Sequence, residues 1–284
     1  MTETGFASFS RAGVLSPESA SAHLRLVSDL AGRGSLVVGF SGGADSALLL
    51  KAAVDALPGR VLAVTAVSPS LPKSELAEAE AIATSVGAPH SLIESREMEE
   101  EGYKANSPRR CFFCKAELFR ILKAETVRRG FAAFAYGAIT DDLGDFRPGM
   151  DAAREAGAIS PLLNAGIGKA EVREISRWLG LSTWDKPASA CLSSRVPFGT
   201  RIDASVLARI ERSEAILHSE GIRHVRVRDH GEVARVECEP VDFERLMEPE
   251  RRLRIVNSLR AAGWRHVCVD LAGYRAGSLN PIRA

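Results

Sequence analysis

Apolar positions in this chain follow two alternating rhythms: short continuous runs, and longer stretches in which they recur at helical spacing. After a polar leader, a helical stretch from Pro17 to Ala31 gives way to "SLVVGF". A short apolar run of that kind, bounded by glycine, predicts a strand buried on both faces. "ALLLKAAVDAL" follows as a helix, "RVLAVTAVS" as a second strand and "KSELAEAEAIATSVG" as an amphipathic helix with Gly87 as its C-cap. "HSLIES", "CKAELFRILKAETVRRG", "FAAFAYGAI" and "KAEVREISRWLGL" continue the series as strand, helix, strand and helix. Such alternation predicts an α/β fold, a doubly wound parallel sheet with helices on both faces. Ligands in these folds bind beyond the carboxyl ends of the strands. The loops after Phe40, Ser68 and Ile139 are therefore expected to share one crevice.

The rhythm breaks from Ser182 to Ile202, a stretch rich in proline and serine of the kind that forms functional loops or linkers. Beyond it, helix "ASVLARIERSEAILHSEG", strands "HVRVRDH" and "VARVECE", helix "VDFERLMEPERRLRIVNSLRAAG" and strand "HVCVDLAG" predict a small α+β domain. The expected division is 1–200 and 201–284.

Composition narrows the function classes. The 284 residues carry 37 basic and 36 acidic side chains, a net charge of +1, where a chain built to grip nucleic acid would show a basic excess. No stretch approaches the roughly 18 apolar residues of a membrane span. The N-terminus lacks a basic start followed by an apolar run, so no secretory signal is expected. Five cysteines, an odd number, do not make a disulfide framework, and a cytoplasmic protein with reduced thiols is expected.

"VVGFSGGADSALLL" joins a strand to a helix through a tight Ser-Gly-Gly turn. Glycines admit positive φ and close backbone approach. Successive N–H groups at such a turn, with a helix N-terminus, form an anion cradle to which Ser41 and Ser46 add hydroxyls. It is neither a Walker A loop, because no lysine follows Gly43, nor a dinucleotide fingerprint, because Gly39, Gly42 and Gly43 are wrongly spaced. Asp45 sits oddly in a phosphate cradle unless a Mg²⁺ ion or a lysine bridges it to the phosphate. A plain strand-to-helix turn is the alternative.

Three cysteines lie outside apolar strand patterns: Cys111 and Cys114 in "RRCFFCKAELF", and Cys191 in "SACLSSR". Cys238 and Cys268 fall within strand patterns and are expected in the core. The C-x-x-C pair lacks the context of a thioredoxin-like redox pair, and no second pair completes a zinc site. Three thiolates would suffice for three irons of a [4Fe–4S] cluster, leaving the fourth iron open to carry a terminal sulfide. Arg109, Arg110 and Lys115 flank the pair and would favour thiolate.

"SGGADS" resembles the PP-loop of the N-type ATP pyrophosphatases, whose fold is adenine nucleotide alpha hydrolase-like. The resemblance implies that ATP is cut between its α- and β-phosphates. "PRRCFFCKAELF", "YGAITDDLGDFRPG", "SPL" and "LSTWDKPASACLSSRVPFGTRI" extend it, from about Val37 to Ile202, to the LarE family. These are ATP-dependent sulfur transferases of nickel-pincer nucleotide biosynthesis, which supplies the cofactor of lactate racemase. The resemblance implies adenylation of the carboxylates of a pyridinium biscarboxylic acid mononucleotide and their conversion to thiocarboxylates. It implies ATP contacts at Ser41, Gly42, Gly43, Asp45, Ser46, Thr65, Ala66, Gly137 and Asp142, with Mg²⁺ at Asp45, Asp141 and Asp145. Asp141, Asp142 and Asp145 could instead cap the next helix.

Cys191 matches the family's sulfur-handling cysteine, a sacrificial donor in one branch. The three-cysteine branch is implied here, with a [4Fe–4S] cluster on Cys111, Cys114 and Cys191. Arg109, Arg195, Arg226 and Arg228 are candidates for stabilising phosphate charge, the last two on one strand face, with a solvated sheet edge as the plain alternative for that pair. Expected partners are a small-molecule nucleotide, a sulfide-donor protein and, through a C-terminal domain that also binds substrate, further copies of the chain. Rival readings are a tRNA thiolase with the same loop, disfavoured by the charge balance, and a nucleotide-binding module with structural cysteines.

Overall fold

The structure is a computed structural model and describes residues 13–143, 148–187 and 189–275. In chain order its longer elements are α1 (Pro17–Ala31), β1 (Leu36–Gly39), α2 (Ala44–Ala56), β2 (Val61–Val67), α3 (Lys73–Val86), β3 (His90–Glu94), α4 (Glu101–Lys104), α5 (Arg110–Arg129) and β4 (Ala133–Ala135). There follow α6 (Pro148–Ala156), α7 (Pro161–Asn164), α8 (Lys169–Trp178), α9 (Ala204–Ser219), β5 (Val225–His230), β6 (Val233–Cys238), α10 (Phe243–Met247), α11 (Pro249–Ala261) and β7 (His266–Val269). The chain forms two compact units. One comprises residues up to Ser68, Lys73–Glu97 and Cys111–Ser189, and the other Pro69–Pro72, Met98–Arg110 and the chain from Ala190 onward.

The first unit is the doubly wound parallel sheet, in the order β3-β2-β1-β4. Alternation along β1 sends Leu36 and Val38 into a layer shared with Leu26 and Leu30 of α1, Leu48 and Leu49 of α2, and Ile175 of α8. Val37 turns to the opposite layer, against Phe119 and Leu122 of α5 and Ala152 of α6. Burial on both faces is why these strands read as unbroken apolar runs. The N-terminus of α1 is fixed by Ser16, whose Oγ accepts from the Ser19 N–H, and by Pro17 in the first turn. Glu174 of α8 accepts from the Ser16 N–H and both serine hydroxyls, joining the two helices. From β1 the chain passes outward through β2 and β3, then crosses to β4 on the other side of β1. The glycine turn after β1 therefore lies at the switch point, where connections diverge and leave a crevice.

The second unit holds an antiparallel β5–β6 pair extended by β7 parallel to β6. Leu207, Ile210 and Leu217 of α9, Val225 and Val227 of β5, and Ile255 and Leu259 of α11 are buried there. The helix expected over 241–263 is interrupted: Glu248, at φ −53° and ψ 125°, leaves the helical region ahead of Pro249, which starts α11. Cys238 is fully buried, and desolvation raises its thiol pKa to about 11. Cys268 corrects the expectation of a core position, because it is exposed on the edge strand β7.

Candidate active site

The Ser-Gly-Gly turn is built from backbone constraints. Gly42 has φ +71°, and a Cβ there would stand 2.9 Å from Ala79 Cβ and 3.0 Å from its Cα on α3. Both the dihedral and the contact require glycine. Gly43 is the N-cap of α2 and supplies no side chain to cap it, so the helix start lacks that internal acceptor. The Gly43 N–H points to Ser41 Oγ at 3.3 Å, and Ser41 Oγ lies 3.1 Å from Ser46 Oγ. Ser46 Oγ accepts from the Ser41 N–H and donates to Gly43 O, so hydroxyls and N–H groups gather on one side of the turn, a grouping that suits an anion able to replace these internal acceptors. Asp45 sits half-buried in the first turn of α2. Gly137 packs behind the turn, where a Cβ would be 3.1 Å from Ser46 N.

Other residues expected around the turn sit as follows. The β1–β2 ladder ends at Gly39 and Val64, with one further bond from Phe40 N to Val64 O, so Thr65 and Ala66 run on paired with β3. The buried Thr65 hydroxyl donates to Phe40 O and accepts from His90 Nε2 at 2.8 Å. Burial lowers the His90 pKa, with Glu80 opposing. Asp141 Oδ2 accepts from the Lys169 N–H at the start of α8, and Asp142 Oδ2 from the Ile139 N–H. Both carboxylates therefore serve local capping. Asp145 lies outside the described residues.

Lys186 was not among the residues singled out from the sequence. Its Nζ donates to Gly42 O at 3.2 Å, to Glu75 Oε2 at 2.8 Å and to Glu78 Oε2 at 2.6 Å. Burial opposes its charge, but the hydrogen bonds and charges of Glu75 and Glu78 prevail and raise its pKa. Its one sequence signal is a lysine within the proline- and serine-rich stretch.

The paired cysteines lie in the first two turns of α5, three residues apart and so on one side of the helix, Cys111 exposed and Cys114 half-buried. They belong to the first unit, and Cys191 belongs to the second. Cys191 is half-buried and precedes the short turn Leu192–Arg195. Three buried guanidiniums hold the carbonyls of this loop. Arg195 donates to Ala190 O and Cys191 O, Arg110 to Ser193 O at 2.8 Å, and Arg228 to Ser194 O at 2.9 Å. Tyr103 and Ser193 hydroxyls meet at 2.5 Å, and the Leu192 N–H donates to Ser70 O. Asn106, buried at φ +51°, accepts from Arg110 and donates to the carbonyls of Val196, Pro197 and Thr200.

The arginines expected to meet substrate divide by partner. Arg195 is paired bidentately with Glu214, and Arg228 with Glu237 through two nitrogens. Arg226 is half-buried over the Tyr274 ring and makes no ion pair among the described residues. Desolvation, followed by the charge of Arg195, lowers its pKa. Arg109 is exposed.

Residues 19–115 match the NAD synthase family. The chain is 42% identical over 246 residues to an uncharacterized protein of Synechocystis sp., covering 87% of this chain and 92% of the relative. It is 36% identical over 255 residues to the pyridinium-3,5-bisthiocarboxylic acid mononucleotide synthase of Lactiplantibacillus plantarum, covering 86% and 88%. The chain belongs to the LarE family. An uncharacterized protein of Methanocaldococcus jannaschii is 31% identical over 171 residues, 60% of this chain and 66% of that one.

LarE membership directs attention to the thiols. Soft thiolates are the right donors for an iron–sulfur cluster. Neither unit carries all three, however, and among the described residues no group of three or more His, Cys, Asp or Glu side chains is placed to hold a metal ion. Within neither unit is a set of thiols placed, among the described residues, to hold a cluster. Among the described residues no helix is long and apolar enough to cross a membrane.

Proposed function

We propose that this LarE-family chain is an ATP-dependent sulfur transferase. It adenylates the carboxylates of pyridinium biscarboxylic acid mononucleotide and converts them to thiocarboxylates for a nickel-pincer cofactor. One observation carries the reading: an uncapped helix start behind a positive-φ glycine turn, at the switch point of a parallel sheet. It stands in a chain 36% identical to a named pyridinium-3,5-bisthiocarboxylic acid mononucleotide synthase.

In this mechanism the turn 41–46 binds the β- and γ-phosphates of ATP. Mg²⁺ arriving with ATP would be held at Asp45 and would shield the phosphate charge from that carboxylate. Thr65 and Ala66 meet adenine through their backbone, while Gly137 and Asp142 shape the wall beside it. A substrate carboxylate oxygen attacks the α-phosphorus and pyrophosphate leaves, giving an acyl adenylate. Arg226, with no carboxylate partner among the described residues, binds the substrate phosphate, with Arg109 as a second candidate. Arg195 and Arg228 act on the Cys191 loop. The Cys191 thiolate attacks the acyl carbon and AMP leaves, forming a thioester. Loss of the cysteine α-proton then breaks the Cβ–S bond, leaving dehydroalanine and the thiocarboxylate. Sulfur transfer is thus assigned to the thiol itself, with Cys111 and Cys114 as auxiliary thiols.

Asp45→Ala should abolish pyrophosphate release with the pyridinium dicarboxylate mononucleotide. Cys191→Ala should release pyrophosphate and accumulate acyl adenylate without thiocarboxylate, read by product mass. Full multiple-turnover sulfur transfer by Cys191→Ala would overturn the thiol's role. Pyrophosphate release that requires tRNA would overturn the substrate. Protein purified without oxygen and assayed for iron and acid-labile sulfide decides between Cys191 as donor and the three-cysteine cluster.

A further inference from the structure

The glycine turn contains a peptide flanked on both sides by glycine, Gly42–Gly43, with no Cβ on either side to resist a flip. In a trans peptide the C=O and N–H lie on opposite edges. The N–H edge here faces Ser41 Oγ, on the side where the Ser41 and Ser46 hydroxyls meet. The C=O edge is taken by Lys186, 144 residues further along the chain. A flip would turn the carbonyl oxygen into the cradle and the N–H out of it, replacing an anion donor with an anion-repelling group.

We propose that Lys186 is a positioning residue that locks the Gly42–Gly43 peptide with its N–H toward the phosphates, and that Glu75 and Glu78 hold the lysine in that pose. An ammonium has three N–H donors. Gly42 O, Glu75 and Glu78 supply three acceptors at 3.2, 2.8 and 2.6 Å, so the group is fully engaged where it stands. Only 14% of the lysine side chain is exposed. With both carboxylates and the carbonyl taking its three donors, the ammonium is held against a backbone oxygen and not directed at a polyanion. The lysine absent from the turn's own sequence is thus supplied from elsewhere in the chain, for the backbone behind the phosphates.

This role rests on the reading of the turn as a pyrophosphate cradle, and the test separates the two. Calorimetric titration of the full chain with Mg²⁺-pyrophosphate and, separately, adenosine is compared for wild type, Lys186→Met and Lys186→Arg. Lys186→Met should weaken pyrophosphate about 10-fold or more, the scale of a lost hydrogen bond to a charged group. Adenosine, which carries no phosphate, should bind within about twofold of wild type. Lys186→Arg, which retains donors for the carbonyl, should recover most of the loss. The Gly43 amide ¹⁵N resonance should move in Lys186→Met before any ligand is added. Should Lys186→Met fail to fold, Lys186→Gln gives the same comparison with a polar side chain. Unchanged pyrophosphate affinity in a folded Lys186 variant, or equal losses for pyrophosphate and adenosine, overturns the positioning role. Wild type that binds no pyrophosphate overturns the cradle and this role with it.

Discussion

At the scale of single residues, Gly42 is where a side chain is least tolerable, for two separable reasons. Its φ of +71° costs an L-residue roughly 1–2 kcal/mol. The added Cβ would also meet the buried Ala79 at 2.9 Å. Gly42→Ala should therefore destabilise by more than the dihedral cost alone and abolish pyrophosphate binding, measured by urea unfolding and calorimetry. Adding Ala79→Gly removes the Cβ contact but leaves the Cα at 3.0 Å and the dihedral strain, and should restore only part of the stability. If Gly42→Ala binds pyrophosphate like wild type, the turn is not the cradle. The turn was legible because its glycines, serines and aspartate are contiguous and stand between a strand and a helix. Lys186 was not, because only the folded chain brings it to Gly42 O. Cys268 misled for a related reason: an apolar strand pattern does not show which strand lies at the sheet's edge.

Secondary elements were legible where periodicity was long and unbroken. α1, α3 and the strands β1 to β3 follow their sequence patterns closely. α6 and α7 did not stand out, since nine and four residues give periodicity little to work on. What sequence spacing could not show is how elements are pinned. Glu117 of α5 is buried and accepts from Arg120 Nε at 2.6 Å and from the Arg96 N–H, just beyond β3, at 3.0 Å. These hydrogen bonds, Arg120 first, lower its pKa against a desolvation that would raise it. A carboxylate with a depressed folded pKa contributes stability that is complete above its unfolded pKa of about 4.3 and is lost as pH falls through the folded value. Glu117→Gln should cost about 1–3 kcal/mol at pH 7. The gap from wild type should be smaller at about pH 3 than at pH 7, because below the unfolded pKa the unfolded chain takes up a proton at Glu117 and the carboxylate's stabilisation is being lost. Urea unfolding at the two pH values checks this, and a gap constant with pH would rule out the charge as the cause.

At the scale of the whole molecule, the strand–helix alternation predicted the first unit's sheet, but the second unit gathers residues 69–72 and 98–110 with the chain after 190. No local pattern marks such an assembly, because its cohesion comes from buried polar contacts between distant segments. Arg195 is the centre of that network. It is 2% exposed, doubly bonded to Glu214, and also donates to Ala190 O and Cys191 O, while Glu214 accepts in addition from the Val227 N–H of β5. Removing one partner of a buried pair strands the other charge and costs about 3–5 kcal/mol. Arg195→Met should therefore accelerate amide hydrogen exchange in the 190–202 loop and in β5, while β1 and β2 of the first unit retain their protection. Pyrophosphate release should persist and thiocarboxylate formation should fall, because the nucleotide turn belongs to one unit and the Cys191 loop to the other. Adding Glu214→Leu removes the stranded charge but leaves the Val227 N–H without its acceptor, so stability should return only in part. Equal loss of protection in both units would mean that they unfold as one cooperative body. Loss of pyrophosphate release with protection intact in β1 and β2 would mean that the Cys191 loop takes part in adenylation itself.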